Sequence, residues 1–245
     1  SSIFSMCMNS NFTQLNKETY DKIAKLFAQT RKYLWDDLKP LKKYTKDNDK
    51  VLDLGCGTGR LYHLFSDFQP YDSAQGKGVE YVGMDQSSAQ LAVAREEFPE
   101  NTYVEAEMTS LPFEDNEFDI IYCIATFHHL SDESSRIKAL EEMKRILKPS
   151  GHIIMTNWNL NSMTAQKMVE KGKFKRNDQD VLVPWLNPEG EVLGERFYYA
   201  FDSEELKNLF KKTDLTLEDQ YYTKKGARGG VDDPGNIVSI LHSSE

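Results

Sequence analysis

The chain has 245 residues, 39% of them hydrophobic, with 30 Lys and Arg against 39 Asp and Glu and a formal net charge of -9. That length and balance fit a single domain over residues 1–245 and exclude a disordered chain. The acidic total excludes a protein that coats nucleic acid indiscriminately, while leaving room for a local basic patch.

Between Asn16 and Tyr44 the apolar residues Tyr20, Ile23, Phe27, Leu34, Leu38 and Leu41 recur near helical spacing, which predicts one long or broken helix. The spacing then predicts a short buried strand over 51–54, a helix start at 60–65 and a second strand over 81–85 that ends on an acid. Ser87 caps a predicted helix in "SSAQLAVAREEF". Strands are expected over 103–106 and 118–125, then an amphipathic helix over 133–147 stopped by Pro149 and Gly151, then the strand "HIIMTNW". Residues 159–200 interrupt this rhythm with polar, lysine-rich text that reads as a long loop or small insertion. A helix over 202–213 and strands near 215–222 and 237–241 complete the pattern.

Strands alternating with helices indicate an α/β fold, a parallel sheet with helices on both faces, whose ligands lie at the carboxyl ends of the strands. The three cysteines, Cys7, Cys56 and Cys123, form no Cys-x-x-Cys pair, so a reducing, cytoplasmic setting is expected, with no disulfide framework and no zinc site. No run approaches the ~20 apolar residues that span a bilayer, and the first residues, "SSIFSMCMNSNF", lack the charged-then-apolar pattern of a signal peptide. Neither a membrane nor a metal is expected to be a partner.

"VLDLGCGTGR" carries glycine at 55, 57 and 59, where the backbone must turn sharply and approach a ligand without a Cβ in the way. A dinucleotide turn reads G-x-G-x-x-G, whereas this one reads G-x-G-x-G behind Asp53, whose carboxylate repels a pyrophosphate and attracts an ammonium or sulfonium group. Asp85 ends the second strand, where an acid accepts ribose hydroxyls, and Glu107 follows the third, within reach of a purine amino group. Three acids and a glycine turn describe a pocket for S-adenosylmethionine.

"VLDLGCGTG", Met84–Asp85, "LPFEDNEFDIIYC" and "RILKPSGHIIM" together resemble, in order, the motifs of class I S-adenosylmethionine-dependent methyltransferases. The resemblance implies a Rossmann-like seven-stranded sheet, an amino-terminal helical lid over 16–44 and a substrate-side insertion over 159–200, after the fifth strand. It also implies that Asp53, Gly55, Cys56 and Gly57 hold the methionine part, Asp85 and Gln86 the ribose, Glu107 and Met108 the adenine edge, and Ile124 the pocket rim.

"YDKIAKLFAQTRKYLW", "FHHLSDESSRIKALEEMKRILKPSG", "DVLVPW" and "ERFYYAF" resemble the tRNA wobble-uridine methyltransferases, which convert a 5-carboxymethyluridine of the anticodon into its methyl ester. That resemblance implies a tRNA anticodon loop as acceptor and a small activating protein as possible partner. Arg31 would orient the acceptor carboxylate, and His129 would line the active site with His128 structural. Trp185 and Tyr198 would either stack a flipped base or pack the insertion, with Arg196 beside them. Lys173, Lys175 and Arg176, with the later "KKGAR", would form a phosphate track or remain solvated loop charge. Methyl transfer to a carboxylate needs orientation and exclusion of water rather than a base, and no base with a partner stands out in the sequence. The alternatives are a small-molecule acceptor, such as a quinone or a metabolite carboxylate, and a non-catalytic binding module on the same fold. The sequence departs from the wobble-uridine family at Tyr199, Ile237 and Ser150, where histidine, tryptophan and glycine are usual.

Overall fold

The structure, a computed structural model, describes residues 11–243 apart from 32, 69–70, 73 and 76. Cys7 and residues 1–10 of the stretch read for a signal lie outside the described residues. The α-helices start at capping side chains. Asn11, Ser87, Asp132, Ser162 and Asp202 accept backbone N–H groups in the first turns of α1 (Phe12–Thr30), α2 (Ser88–Glu97), α3 (Glu133–Ile146), α4 (Met163–Glu170) and α5 (Ser203–Lys212).

The amino-terminal helix is broken. α1 ends at Thr30 and Asp36–Tyr44 follows as a 3-10 helix, on which Leu38 and Leu41, three residues apart, eclipse and are buried together. Arg60–Phe65 is likewise 3-10, and Leu61 and Leu64 share the same spacing and burial.

The strands in chain order are β1 (Lys50–Leu54), β2 (Glu80–Asp85), β3 (Thr102–Glu105), β4 (Phe118–Ile124), β5 (Leu147–Trp158), β6 (Lys175–Asn177), β7 (Asp180–Leu186), β8 (Val192–Tyr199), β9 (Leu215–Lys224), β10 (Ala227–Gly229) and β11 (Asn236–Ser243). The main sheet has eight strands in the order β10-β9-β11-β5-β4-β1-β2-β3. β1 to β5 run parallel, while β11 lies antiparallel between β5 and β9. The eighth strand, beyond the expected seven, is β10. The chain folds back at Lys225 and Gly226, both at positive φ, and pairs three residues with the end of β9. Residues 159–200, expected as a loop or small insertion, fold into α4 and a separate antiparallel sheet of β6, β7 and β8.

Two apolar layers sandwich the main sheet. Leu140, Met143, Leu206 and Phe210 pack with Leu52, Leu54 and Ile121 on one face. Leu38, Leu61, Leu91 and Ala94 pack with Val51, Tyr122 and Ile240 on the other. Tyr122 is fully buried, and its hydroxyl meets Thr45 Oγ1 at 2.8 Å and Leu41 O at 3.1 Å, tying the Asp36–Tyr44 segment to β4. Ser150 sits at φ 64°, a left-handed conformation that glycine adopts more cheaply, which accounts physically for the usual glycine there. From β1 the chain winds through β2 and β3 and returns to β4 on β1's other side, so a crevice opens at the carboxyl ends of β1 and β4.

Candidate cofactor and acceptor site

The turn after β1 forms one wall of the crevice. Gly55, Gly57 and Gly59 all have positive φ, and the Gly55 and Cys56 N–H groups donate to Met84 O at 2.7 and 2.9 Å. A Cβ on Gly55 would fall 2.1 Å from Thr126 Cγ2, so only glycine lets the β1 turn close against the end of β4. Asp85 accepts the Gly57 N–H at 2.8 Å on one oxygen and the Ser87 N–H at 2.9 Å on the other. Each oxygen keeps a lone pair for a ligand, and burial raises the carboxyl above its ordinary value.

Asp53 is 2% exposed and accepts the Tyr81 hydroxyl at 2.6 Å. Burial, reinforced by the Asp85 charge, pushes it up to about 7. A cation beside it would restore the ionised form. Gln90 Oε1 is buried without a hydrogen-bond partner among the described residues, on the wall of the same pocket, which Gln86, Glu107, Met108 and Ile124 also line. Cys56 also lines the pocket, although burial raises its thiol well above the ordinary value. Paired lone pairs at Asp85, an unpartnered amide oxygen, a ligand-hungry carboxyl at Asp53 and a glycine cradle fit the ribose, base edge and cationic methionine of S-adenosylmethionine.

α1 lines the crevice through Thr13, Tyr20 and Phe27. Asp21 accepts Ser87 Oγ at 2.6 Å and the Ala89 N–H at 3.3 Å, Lys17 donates to Gln86 O at 2.6 Å, and Gln90 donates to Tyr20 O at 3.3 Å. On the insertion side, Asn16 and Phe197 exchange two hydrogen bonds of 3.1 and 2.7 Å, and Thr19 donates to Glu195 O at 2.8 Å. One helix thus touches both the ribose corner and β8.

Between α1 and β8 the pocket changes sign. Arg196 is 4% exposed, its Nε has no hydrogen-bond partner among the described residues, and its guanidinium lies 4.9 Å from the Trp185 ring, 5.4 Å from Tyr198 and 6.0 Å from Trp158. Arg31 stands over the same Trp185 ring at 5.6 Å. Among the described residues no ion pair includes Arg31, Arg60 or Arg196. Beside them His129 Nδ1 lies 2.7 Å from Phe197 O, a pure acceptor, so Nδ1 carries the proton and Nε2 accepts the Tyr20 hydroxyl at 3.2 Å. Burial, with the Arg196 charge behind it, lowers His129 to about 4, so it is neutral at physiological pH. His128 turns away from the pocket and accepts the Trp158 N–H at 3.1 Å.

The two aromatic residues open to base stacking or to packing are interior. Tyr198 is 1% exposed and stacks on Trp158 at 4.7 Å, and Trp185 is 7% exposed against Phe27. Their faces are already occupied by protein, so the stacking expectation gives way to packing, and the rings form the chamber around Arg196. The anticipated phosphate track is not brought to the pocket. Lys175 pairs with Glu195 at 2.6 Å, and Arg176 donates to Leu160 O at 2.9 Å and Asp178 O at 2.7 Å, stapling the insertion. Lys173 is exposed, Lys224 pairs with Asp233 at 2.8 Å, and Arg228 pairs with Asp219. Tyr20, Arg60, Gln90 and Trp158 line the pocket without having stood out as site residues in the sequence. Arg60 was legible only as the residue after the last glycine, and Tyr20 only as part of an apolar helical stripe.

Residues 52–155 match a family profile described as a methyltransferase domain. A crystal structure of a Pyrococcus horikoshii protein superposes with a TM-score of 0.64 at 24% identity, covering 85% of this chain and 89% of that one. The profile match over residues 52–155 and this superposition show a methyltransferase-type α/β fold. The chain is 25% identical over 225 residues to the tRNA (carboxymethyluridine(34)-5-O)-methyltransferase of Schizosaccharomyces pombe, covering 84% of this chain and 91% of the yeast protein. It is 29% identical over 185 residues to the probable tRNA methyltransferase 9B of Homo sapiens, covering 73% of this chain and 35% of the human one. The chain thus spans about a third of the length of the first curated relatives it matches.

Proposed function

We propose that this protein methylates a carboxylate, the carboxymethyl group of a tRNA wobble uridine, to its methyl ester. The observation that carries the reading is Arg196, a buried guanidinium on the pocket wall with no carboxylate near it among the described residues. Aromatic rings and the Tyr20 hydroxyl keep this guanidinium charged, and an anionic ligand would give it the carboxylate partner it lacks. S-adenosylmethionine, when bound, supplies an electrophilic methyl group. Asp53, Gly55, Gly57, Asp85 and Gln90 hold it, and Arg196 with Arg31 orients the acceptor carboxylate bidentately. The acceptor is already anionic, so no proton has to leave, and His129 is suited to holding Tyr20 rather than to taking one. The lid contacts of α1 exclude water while the carboxylate is held.

The relatives named for carboxymethyluridine support the nucleic-acid acceptor, and a similar fold solved in complex with a methyltransferase activator from Haloferax volcanii supports a small activating partner. A second reading, a small-molecule carboxylate, draws on the neutralised lysine clusters of the insertion and the carboxyl-terminal strands. Incubation with methyl-labelled S-adenosylmethionine and tRNA lacking wobble methyl esters, followed by mild base, separates the two. Label that enters tRNA and is released by base supports the proposal. Cofactor binding without label in tRNA, with the activating partner present, shifts the acceptor to a small molecule.

A further inference from the structure

The pocket holds three guanidinium groups, and they are not equivalent. Arg31 and Arg196 share the Trp185 ring, at 5.6 and 4.9 Å, on the insertion side. Arg60 stands apart. It follows the glycine turn directly, lies 4.6 Å over the Trp35 ring, and donates to Arg31 O at 3.4 Å. Its pocket neighbour of opposite charge is Asp53, too distant for an ion pair yet close enough to act on it. Burial and the nearby Arg31 charge pull Arg60 down to about 10, so it stays charged at neutral pH.

An acid and a base fixed on one turn, separated and both short of partners, match a ligand that carries an ammonium and a carboxylate on one carbon. Asp53 is fixed on β1 by Tyr81, and Arg60 is held against Trp35. We infer that Arg60 binds the α-carboxylate of S-adenosylmethionine while Asp53 binds its α-ammonium, leaving Arg196 and Arg31 for the acceptor. The inference rests on the cofactor assignment and not on the identity of the acceptor.

This division also explains the number of arginines. A single guanidinium serving both carboxylates would bring two anions together at the reacting centre, where like charges repel. Arg60 on the Trp35 ring and Arg196 on the Trp185 ring give each carboxylate its own guanidinium. Trp35 acts as the platform that holds Arg60 flat, as cation–π contacts do.

The test is calorimetric and needs no acceptor. S-adenosylmethionine and its decarboxylated analogue, which lacks only the α-carboxylate, are titrated into wild type, Arg60→Gln and Arg60→Lys. Wild type is expected to prefer S-adenosylmethionine by about tenfold or more, the ratio of one charge-assisted bond. Arg60→Gln is expected to lose that preference while binding the decarboxylated analogue as well as wild type does, and Arg60→Lys to keep part of it. Equal weakening of both ligands in Arg60→Gln would make Arg60 a structural support and overturn the inference. Transfer of the lost preference to an Arg31→Gln variant would overturn it too. A wild type that bound neither ligand would overturn the cofactor assignment itself, an outcome distinct from both.

Discussion

Replacing Asp53 with asparagine should make the empty protein more stable and the cofactor much weaker. Asp53 is 2% exposed with one partner, the Tyr81 hydroxyl at 2.6 Å, which an asparagine carbonyl retains. The folded protein holds a proton on this carboxyl up to about 7, while an ordinary aspartate gives it up near 3.8. Folding therefore binds a proton between those pH values, and wild-type stability falls as pH rises through them. About three pH units at 1.36 kcal/mol each set a ceiling near 4 kcal/mol above pH 7. Burial of the new amide takes back roughly 1–2 kcal/mol. Asp53→Asn should thus gain about 2 kcal/mol at pH 8, a rise of roughly 4–8 °C in Tm for a chain of this size. At pH 5 wild type is protonated and most of the advantage should vanish. Thermal unfolding of both proteins at pH 5 and pH 8 measures the gap, and titration at pH 8 should show S-adenosylmethionine binding weakened about 10- to 100-fold. A gap that is the same at both pH values, or a variant less stable than wild type at pH 8, would refute the reasoning.

Arg196→Met should lower kcat/KM for the acceptor about 100-fold or more, because it removes the guanidinium that would hold the carboxylate. Its affinity for S-adenosylmethionine should stay within about twofold of wild type, read by calorimetry beside the steady-state rates. Tyr20→Phe removes the hydroxyl that meets His129 at 3.2 Å and lies beside Arg196. It should raise the acceptor KM about tenfold with the cofactor affinity unchanged. At saturating cofactor kcat should be flat from about pH 6 to 9, because a carboxylate acceptor and His129 both titrate near 4. A rate rising tenfold per pH unit in that range would mean that a base removes a proton.

The cofactor half of the site was legible because it depends on local rules. Glycine at 55, 57 and 59, an acid one residue before the turn and an acid at the end of β2 are read directly from spacing, and all converge on one crevice. The acceptor half depends on contacts between distant segments, such as Asn16 with Phe197 and Tyr20 with His129, which no local pattern shows. The resemblance puts Arg196 beside Trp185 and Tyr198, yet its burial follows only once the insertion folds into β7 and β8. In sequence Trp185 and Tyr198 are open to base stacking or to packing because the insertion reads as loop text. Once β7 and β8 pair through Val181 and Tyr198, those rings become interior walls. Likewise the lysine-rich run reads as a free basic patch in sequence, and only the fold sets Glu195 against Lys175.

The central claim is that the acceptor must be an anion held by Arg196. The most direct measurement compares tRNA anticodon stem-loops carrying wobble 5-carboxymethyluridine, its neutral carboxamide counterpart or unmodified uridine, with product identified by nucleoside mass. The account predicts a methyl ester on the carboxymethyl substrate alone, lost in Arg196→Met with cofactor binding intact. Methylation of the carboxamide or the unmodified base, or full ester formation by Arg196→Met, would contradict it.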